Sequence, residues 1–207
     1  MYVTFESMYI QMILIEHRVN TLSQLRQVPV NRGIEIDIRD YNGQLCLAHD
    51  PFESGEKLDD LLAEFMHAFI IFNVKCDGLE EAIIDLANQY NIEKYFFLDS
   101  ALPSLVKLSR KGINNFAVRV SEYEPIELAM RFAGLVDWVW VDCFHDFPLT
   151  TDTYLELKKH FKLCLVSPEM QNHSDAHFLA FTKNLRAMPF DAVCSDRCDD
   201  WGHYSVG

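Results

Sequence analysis

"GIEIDIR" (residues 33–39) is the stretch on which the reading of the fold turns. Side chains alternate along an extended strand, so Ile34, Ile36 and Ile38 share one face while Glu35 and Asp37 share the other. Seven other apolar runs rich in β-branched and aromatic residues accompany it. They are "MILIEHR" (12–18), "FIIFNVK" (69–75), "YFFLDS" (95–100), "NFAVRV" (115–120), "WVWVDCF" (138–144), "KLCLVSPE" (162–169) and "AVCSD" (192–196). Most are separated by stretches with helical periodicity: 58–69, 78–91, 104–112 and 125–134. Near-continuous apolar strands alternating with helices predict a parallel sheet covered on both faces. Eight such units predict a compact α/β chain with short loops, a (β/α)₈ TIM barrel. No GxGxxG or GxxxxGK[ST] follows any strand, which argues against an open doubly wound sheet.

The chain has 207 residues, enough for one sizeable core and tight for two, and it contains no linker or repeat. A single domain over 1–207 is expected, with residues 1–11 as a short extension outside it. The formal net charge of −13 argues against nucleic-acid binding and against stable association with anionic membranes, since both call for Lys/Arg clusters. No signal-peptide pattern opens the sequence, and no apolar run approaches the roughly 18 residues of a membrane span. A cytoplasmic protein is expected. Cys46, Cys76, Cys143, Cys164, Cys194 and Cys198 form no CxxC and lie mostly in apolar runs, so they read as reduced core residues.

A barrel of this kind collects its chemistry at the C-terminal ends of the strands. The eight runs place there His17 and Arg18, Glu35 and Asp37, Asn73 and Lys75, Asp99, Arg119 and then Glu122, Asp142, Glu169, and Asp196. So many charges at one mouth must be paired or must bind something. With the isoleucines under helices, Glu35 and Asp37 face the barrel interior. Two adjacent carboxylates repel unless a cation separates them, and oxygen ligands suit Mg²⁺ or Ca²⁺. Salt bridges to Arg18, Arg39 or Lys75 are the structural alternative. "DYNGQLCLAHDP" (40–51) follows. Asn42-Gly43 is a hairpin signal that returns His49 and Asp50 to the same end. His17 and His49 around a carboxylate pair suit general acid–base chemistry. Trp138 and Trp140 share a strand face, for packing or as a stacking platform. His145, His173 and His177 read as bystanders.

"EHRVNT", "GIEIDIRDYNGQLCLAHDP", "FNVK" and "DAVCSDRCD", in this order, resemble the glycerophosphodiester phosphodiesterases, within the phosphatidylinositol-phospholipase-C-like superfamily of (β/α)₈ barrels. The match is dense over 12–77 and thin beyond it, apart from the last strand. The resemblance implies that His17 and His49 are the acid–base pair and that Glu35 and Asp37 hold a divalent cation. It implies that Arg18 binds phosphate and that Lys75 adds a second positive charge beside it. Where the family has a third metal carboxylate, this chain has Asn73, whose amide oxygen can also ligate, with Asp99 as a substitute. Val19 replaces the usual glycine after His-Arg, the Pro-Glu before the Asn-Thr is absent, and "VSPEMQ" departs from the pattern. A divergent, specialised member is expected.

The activity so implied is metal-assisted cleavage of a small glycerophosphodiester-like or sugar phosphodiester. The attacking hydroxyl is either water or the substrate's own, so the enzyme is a hydrolase or a cyclising lyase. Arg119 joins Arg18 and Lys75 in stabilising charge, with Glu122, Asp142 and Glu169 around the substrate. Three alternatives stay open: a degenerate member that binds a phosphorylated ligand without turnover, a metal-dependent lyase or isomerase using Glu122, Asp142 and Glu169, and a structural partner with no site, which leaves the polar strand ends unexplained.

Overall fold

Each apolar run contains a strand, and each strand is parallel to its barrel neighbours. The computed structural model describes residues 12–185 and 188–202; the expected extension at 1–11 lies outside them. The elements are β1 (Ile13–Glu16), α1 (Leu22–Leu25), β2 (Gly33–Tyr41), β3 (Gln44–Leu47), β4 (Glu56–Lys57), α2 (Leu58–Glu64), β5 (Phe69–Val74), α3 (Glu80–Gln89) and β6 (Tyr95–Leu98). They continue with α4 (Leu102–Ser109), β7 (Ala117–Val120), α5 (Ile126–Met130), β8 (Trp138–Val141), α6 (Thr151–Lys158), β9 (Lys162–Val166), α7 (Asp175–Leu185), β10 (Ala192–Ser195) and α8 (Cys198–Trp201). Strands β6, β5, β2, β1, β10, β9, β8 and β7 follow one another by parallel ladders. The ring meets itself at β6 and β7 through a single parallel bridge, Phe97 to Phe116, and not through a ladder. Phe97 N–H donates to the Asn115 carbonyl at 2.8 Å there, and the two phenylalanine rings pack at 5.1 Å. The architecture is the expected (β/α)₈ barrel with one weakly bonded seam.

Alternation within the strands sorts the core into two layers. Ile34, Ile36, Ile38, Ile70 and Phe72 face outward into the layer shared with the helices. Ile15, Phe69, Ile71, Phe96, Trp138 and Trp140 face the barrel interior. Phe69, Phe96 and Trp138 pack ring against ring at 5.0–5.7 Å and close the lower end of the barrel. Lys162 caps that plug with its ammonium 5.5 Å from the Trp138 ring. The tryptophans are therefore packing residues, and at 4% exposure neither offers a stacking face. Gly33 makes room for the plug: a Cβ there would lie 3.0 Å from the Phe69 carbonyl oxygen and from Ile15 Cγ1.

Two local features carry the site. Asn42 and Gly43 both adopt positive φ, +54° and +78°, as a two-residue type I′ hairpin requires, and β3 returns along β2. The pairing runs on past β3, where Ala48 N–H donates to the Asp37 carbonyl at 3.1 Å, and this brings His49 level with the end of β2. Arg39, one of three alternative ion-pair partners for the carboxylates, instead clamps backbone. It donates to the carbonyl of His49 at 2.8 and 3.0 Å and to that of Lys75 at 3.1 Å.

The expected helix over 58–69 stops at Glu64, because Phe69 is already the first residue of β5 and Met66 is 80% exposed. Helix α6 has weak periodicity: only Tyr154 and Leu157 are buried. A reciprocal Thr150–Thr153 capping box starts it. The cysteines are free thiols, buried except for the half-buried Cys76. Among the described residues no helix is long and apolar enough to cross a membrane.

Candidate active site

Glu35 and Asp37 sit at the upper end of β2, 1% and 0% exposed, and Asn73 stands directly across from Asp37 in the β2–β5 register. Each carboxylate is supported from the chain just after β1. Arg18 adopts φ +53°, and its N–H donates to Glu35 Oε2 at 2.8 Å. Asn20 donates its amide to Asp37 Oδ2 at 2.8 Å and accepts from the Asp37 N–H at 2.9 Å. The Asn73 amide donates to Glu35 Oε1 at 2.7 Å. The Lys75 ammonium lies 3.3 Å from Asp37 Oδ1, within ion-pair range but unaligned for a hydrogen bond. Two buried acceptors, Asp37 Oδ1 and Asn73 Oδ1, are left without a hydrogen-bond partner. Burial first, and the Asp37 charge second, push the Glu35 carboxyl above its ordinary value; His17, the Arg18 N–H and the Asn73 amide oppose them.

The histidines flank this pair, and each is oriented by a carboxylate. His17 Nδ1 donates to Asp196 Oδ1 at 2.8 Å, and its Nε2 lies 4.0 Å from Glu35 Oε2. His49 Nδ1 donates to Asp50 Oδ1 at 2.8 Å, and its Nε2 meets Arg18 Nη2 at 2.7 Å. A carboxylate accepts, so each ring carries a proton on Nδ1, and a guanidinium only donates, so His49 presents the Nε2 lone pair to Arg18.

The far side of the mouth is an ion-pair network. Arg119 donates to Asp99 and Asp142 and lies 3.7 Å from Glu124. Lys75 lies 3.6 Å from Asp99, so alternating charges run from Asp37 through Lys75, Asp99 and Arg119 to Asp142. Burial acts to lower the Arg119 guanidinium, but the charges of Asp99, Asp142 and Glu124 outweigh it and hold the value up. Asp142 Oδ1 also accepts from the Cys143 N–H and from Gln171. Glu122 is fully engaged by backbone N–H groups of Phe144, His145 and Asp146 at 2.6–3.2 Å. Burial acts to raise its carboxyl, but these amides prevail and lower it. Glu169 accepts from the hydroxyls of Ser167 and Ser195.

The structure thus gathers His17, Arg18, Glu35, Asp37, His49, Asn73 and Lys75 into one cluster. It ties Asp99, Arg119 and Asp142 into the adjoining network and places Glu122 and Glu169 as braces of loops. Asp99, offered as a substitute metal ligand, spends its oxygens on Arg119 and Lys75. Asp50 and Asp196 stand at this end as hydrogen-bond partners of His49 and His17, and Asn20 is the supporting residue that a strand-by-strand reading does not single out. His145 bonds the Tyr123 hydroxyl at 3.1 Å, while His173 stacks on His177 at 4.2 Å.

The His17–Asp196 pair has a consequence for pH. The hydrogen bond from His17 holds the Asp196 carboxyl below its ordinary value, against opposing burial. A carboxylate with a depressed folded value contributes stability above its unfolded value of about 4 and loses it as the pH falls through the folded value. Asp196→Asn should therefore flatten the fall of Tm on acidification below about pH 4. The effect is modest, because the side chain is 53% exposed. Parallel wild-type and variant curves in thermal melts between about pH 2 and 6 would remove the pairing from the account.

Two solved structures share this arrangement of elements. Glycerophosphodiester phosphodiesterase from Agrobacterium tumefaciens str. C58 aligns with a TM-score of 0.63 at 13% identity, covering 95% of this chain and 100% of that one. The chain has the fold of glycerophosphodiester phosphodiesterases. A glycerophosphoryl diester phosphodiesterase from Parabacteroides distasonis ATCC 8503 aligns with a TM-score of 0.61, also at 13% identity, covering 89% of this chain and 82% of that one. No protein-family model and no curated protein sequence matches. The structural likeness agrees with the resemblance carried by residues 12–77 and the last strand.

Among the described residues no group of three or more His, Cys, Asp or Glu side chains converges as a metal cage. A cation on this fold would draw on two carboxylates and one amide, Glu35, Asp37 and Asn73. The chemistry of that set fits Mg²⁺ or Ca²⁺: all three offer hard oxygens, and two of the oxygens are buried with no hydrogen-bond donor.

Proposed function

We propose that this chain is a divalent-cation-dependent phosphodiesterase acting on a small glycerophosphodiester-like or sugar phosphodiester, with His17 and His49 as its proton-transfer pair. The observation that carries the reading is the placement of two Nδ1-anchored imidazoles beside two buried oxygens that accept no hydrogen bond, at one barrel mouth. Glu35, Asp37 and the Asn73 oxygen would hold the cation. When bound, it supplies charge neutralisation at the phosphate and a lowered pKa for the attacking hydroxyl.

The chain's own groups do the rest. Of the three cations at the mouth, Arg18 has the most exposed side chain, 49% against 17% for Lys75 and 23% for Arg119. Arg18 is also the one not committed to a carboxylate at hydrogen-bond distance. Its fork of donors binds the phosphate oxygens. One imidazole Nε2 takes the proton of the attacking hydroxyl, and the other, protonated, gives one to the leaving alkoxide. Asp196 and Asp50 fix the ring orientations and stabilise the imidazolium form as it arises. Lys75 keeps Asp37 compensated, and Arg119 keeps Asp99 and Asp142 from competing for the cation.

The test is turnover of a panel of glycerophosphodiesters, with glycerophosphocholine and glycerophosphoinositol among them, in Mg²⁺, Ca²⁺ and Mn²⁺ and followed by ³¹P NMR. Release of a phosphomonoester marks hydrolysis; a cyclic phosphate marks attack by the substrate's own hydroxyl. The count of only two carboxylates at the cation position favours a second reading, binding without turnover. That reading expects saturable binding of a phosphodiester and unchanged ³¹P spectra with every metal.

A further inference from the structure

The contact between Arg18 and His49 differs in kind from the other pairings at the mouth. A guanidinium is a donor at every accessible pH, so Nη2 at 2.7 Å occupies the very lone pair that His49 would use for proton transfer. Arg18 makes this bond for lack of a better acceptor. Its carboxylate neighbour is Asp37 Oδ2 at 3.9 Å, and that oxygen already accepts from Asn20. Arg119, by contrast, reaches two carboxylates directly. The backbone of Arg18 is fixed by its N–H bond to Glu35 and by its left-handed φ, while the side chain is half exposed. The guanidinium therefore hangs from a rigid pivot and can leave His49 by side-chain rotation alone. His17 has no such guard: its Nε2 faces Glu35 at 4.0 Å with no donor upon it.

We infer that Arg18 is a ligand-displaced cap on His49. In the free protein it occupies the Nε2 lone pair; when a phosphodiester binds, the guanidinium transfers to the phosphate oxygens and His49 is released for proton transfer. An anionic, two-oxygen acceptor outcompetes a neutral ring nitrogen, because it offers the guanidinium an opposite charge and two parallel bonds that match its fork of donors. The transfer is conformational only, with every proton keeping its atom until the chemical step. The two imidazoles thus become available together only in the complex: one is always open, the other is opened by the phosphate. This inference rests on reading the mouth as a phosphodiester site.

The test is ¹⁵N NMR of the full chain labelled at histidine, titrated with dimethyl phosphate at a pH where both rings are neutral. Occupancy is followed independently by the ³¹P signal. In the free wild type, His49 Nε2 should resonate as a hydrogen-bonded acceptor. On saturation it should move downfield toward an unbonded imidazole nitrogen, while His17 moves less. In Arg18→Met, and in Arg18→Asn as a second variant, His49 Nε2 should start at the unbonded position and stay there. A free-protein resonance already at the unbonded position overturns the cap. A bonded resonance unmoved at full ³¹P saturation overturns the transfer and leaves the phosphodiester reading standing. No ³¹P response at any concentration overturns both.

Discussion

His17→Ala and His49→Ala should each lower kcat on a phosphodiester with an ordinary alcohol leaving group by about 10²–10⁴, the usual range for one positioned acid or base. Neither ring belongs to the two hydrophobic layers, so both variants should fold with Tm close to wild type. The double variant should lose little beyond the worse single one, because groups that act as a unit are not additive. The leaving group assigns the roles. A p-nitrophenyl diester departs as a stable phenolate and needs no protonation, so the variant lacking the acid should recover most of its rate on it. The variant lacking the base should not. Losses under tenfold for both histidines, in folded protein, would remove them from the chemistry and leave Glu35, Asp37 and their cation to account for any turnover.

Arg119→Met should be the most destabilising polar substitution at the mouth. The side chain is apolar and of similar length, so packing is largely kept, but Asp142 loses its guanidinium partner and Asp99 is left to Lys75 at 3.6 Å. Asp142 is 2% exposed and would keep only the Cys143 N–H and Gln171 on its other oxygen. Breaking a buried pair on one side costs about 3–5 kcal/mol, chiefly from the stranded charge. In a chain of this length that lowers Tm by roughly 10 °C. Adding Asp142→Asn should recover a large part of the loss, because the coupling of contacting residues lies in the pair. A Tm within about 2 °C of wild type for Arg119→Met would mean that Asp99 and Asp142 are solvated well enough without it.

What the sequence shows depends on how far apart the interacting residues lie. Glu35 and Asp37 are readable because period-two alternation places them opposite three isoleucines within seven residues. His49 is readable because Asn42-Gly43 dictates a tight return. Asp196 is readable as a strand end, but its partner is not: the bond to His17 joins residues 179 apart and exists only because β10 closes onto β1. Asn20 is close to His17 in sequence, yet its reciprocal bonds with Asp37 depend on the turn at Arg18, and positive φ at arginine has no compositional signal. Glu122 and Glu169 look like site carboxylates because they end strands. What they bind, three backbone amides and two serine hydroxyls, depends on loop paths that no periodicity encodes. Helices α6 and α7 were not separately legible: α6 buries only two side chains, too few to stamp a period on the sequence.

Cation binding is the central claim's most direct test. Calorimetric titration of Mg²⁺, Ca²⁺ and Mn²⁺ into wild type and into Glu35→Gln/Asp37→Asn decides it, with thermal melts to show that both proteins are folded. The account predicts one saturable site in the wild type, for at least one of the three ions, and none in the variant. Equal heats from both proteins, or no binding to the wild type by any of the three, would contradict it.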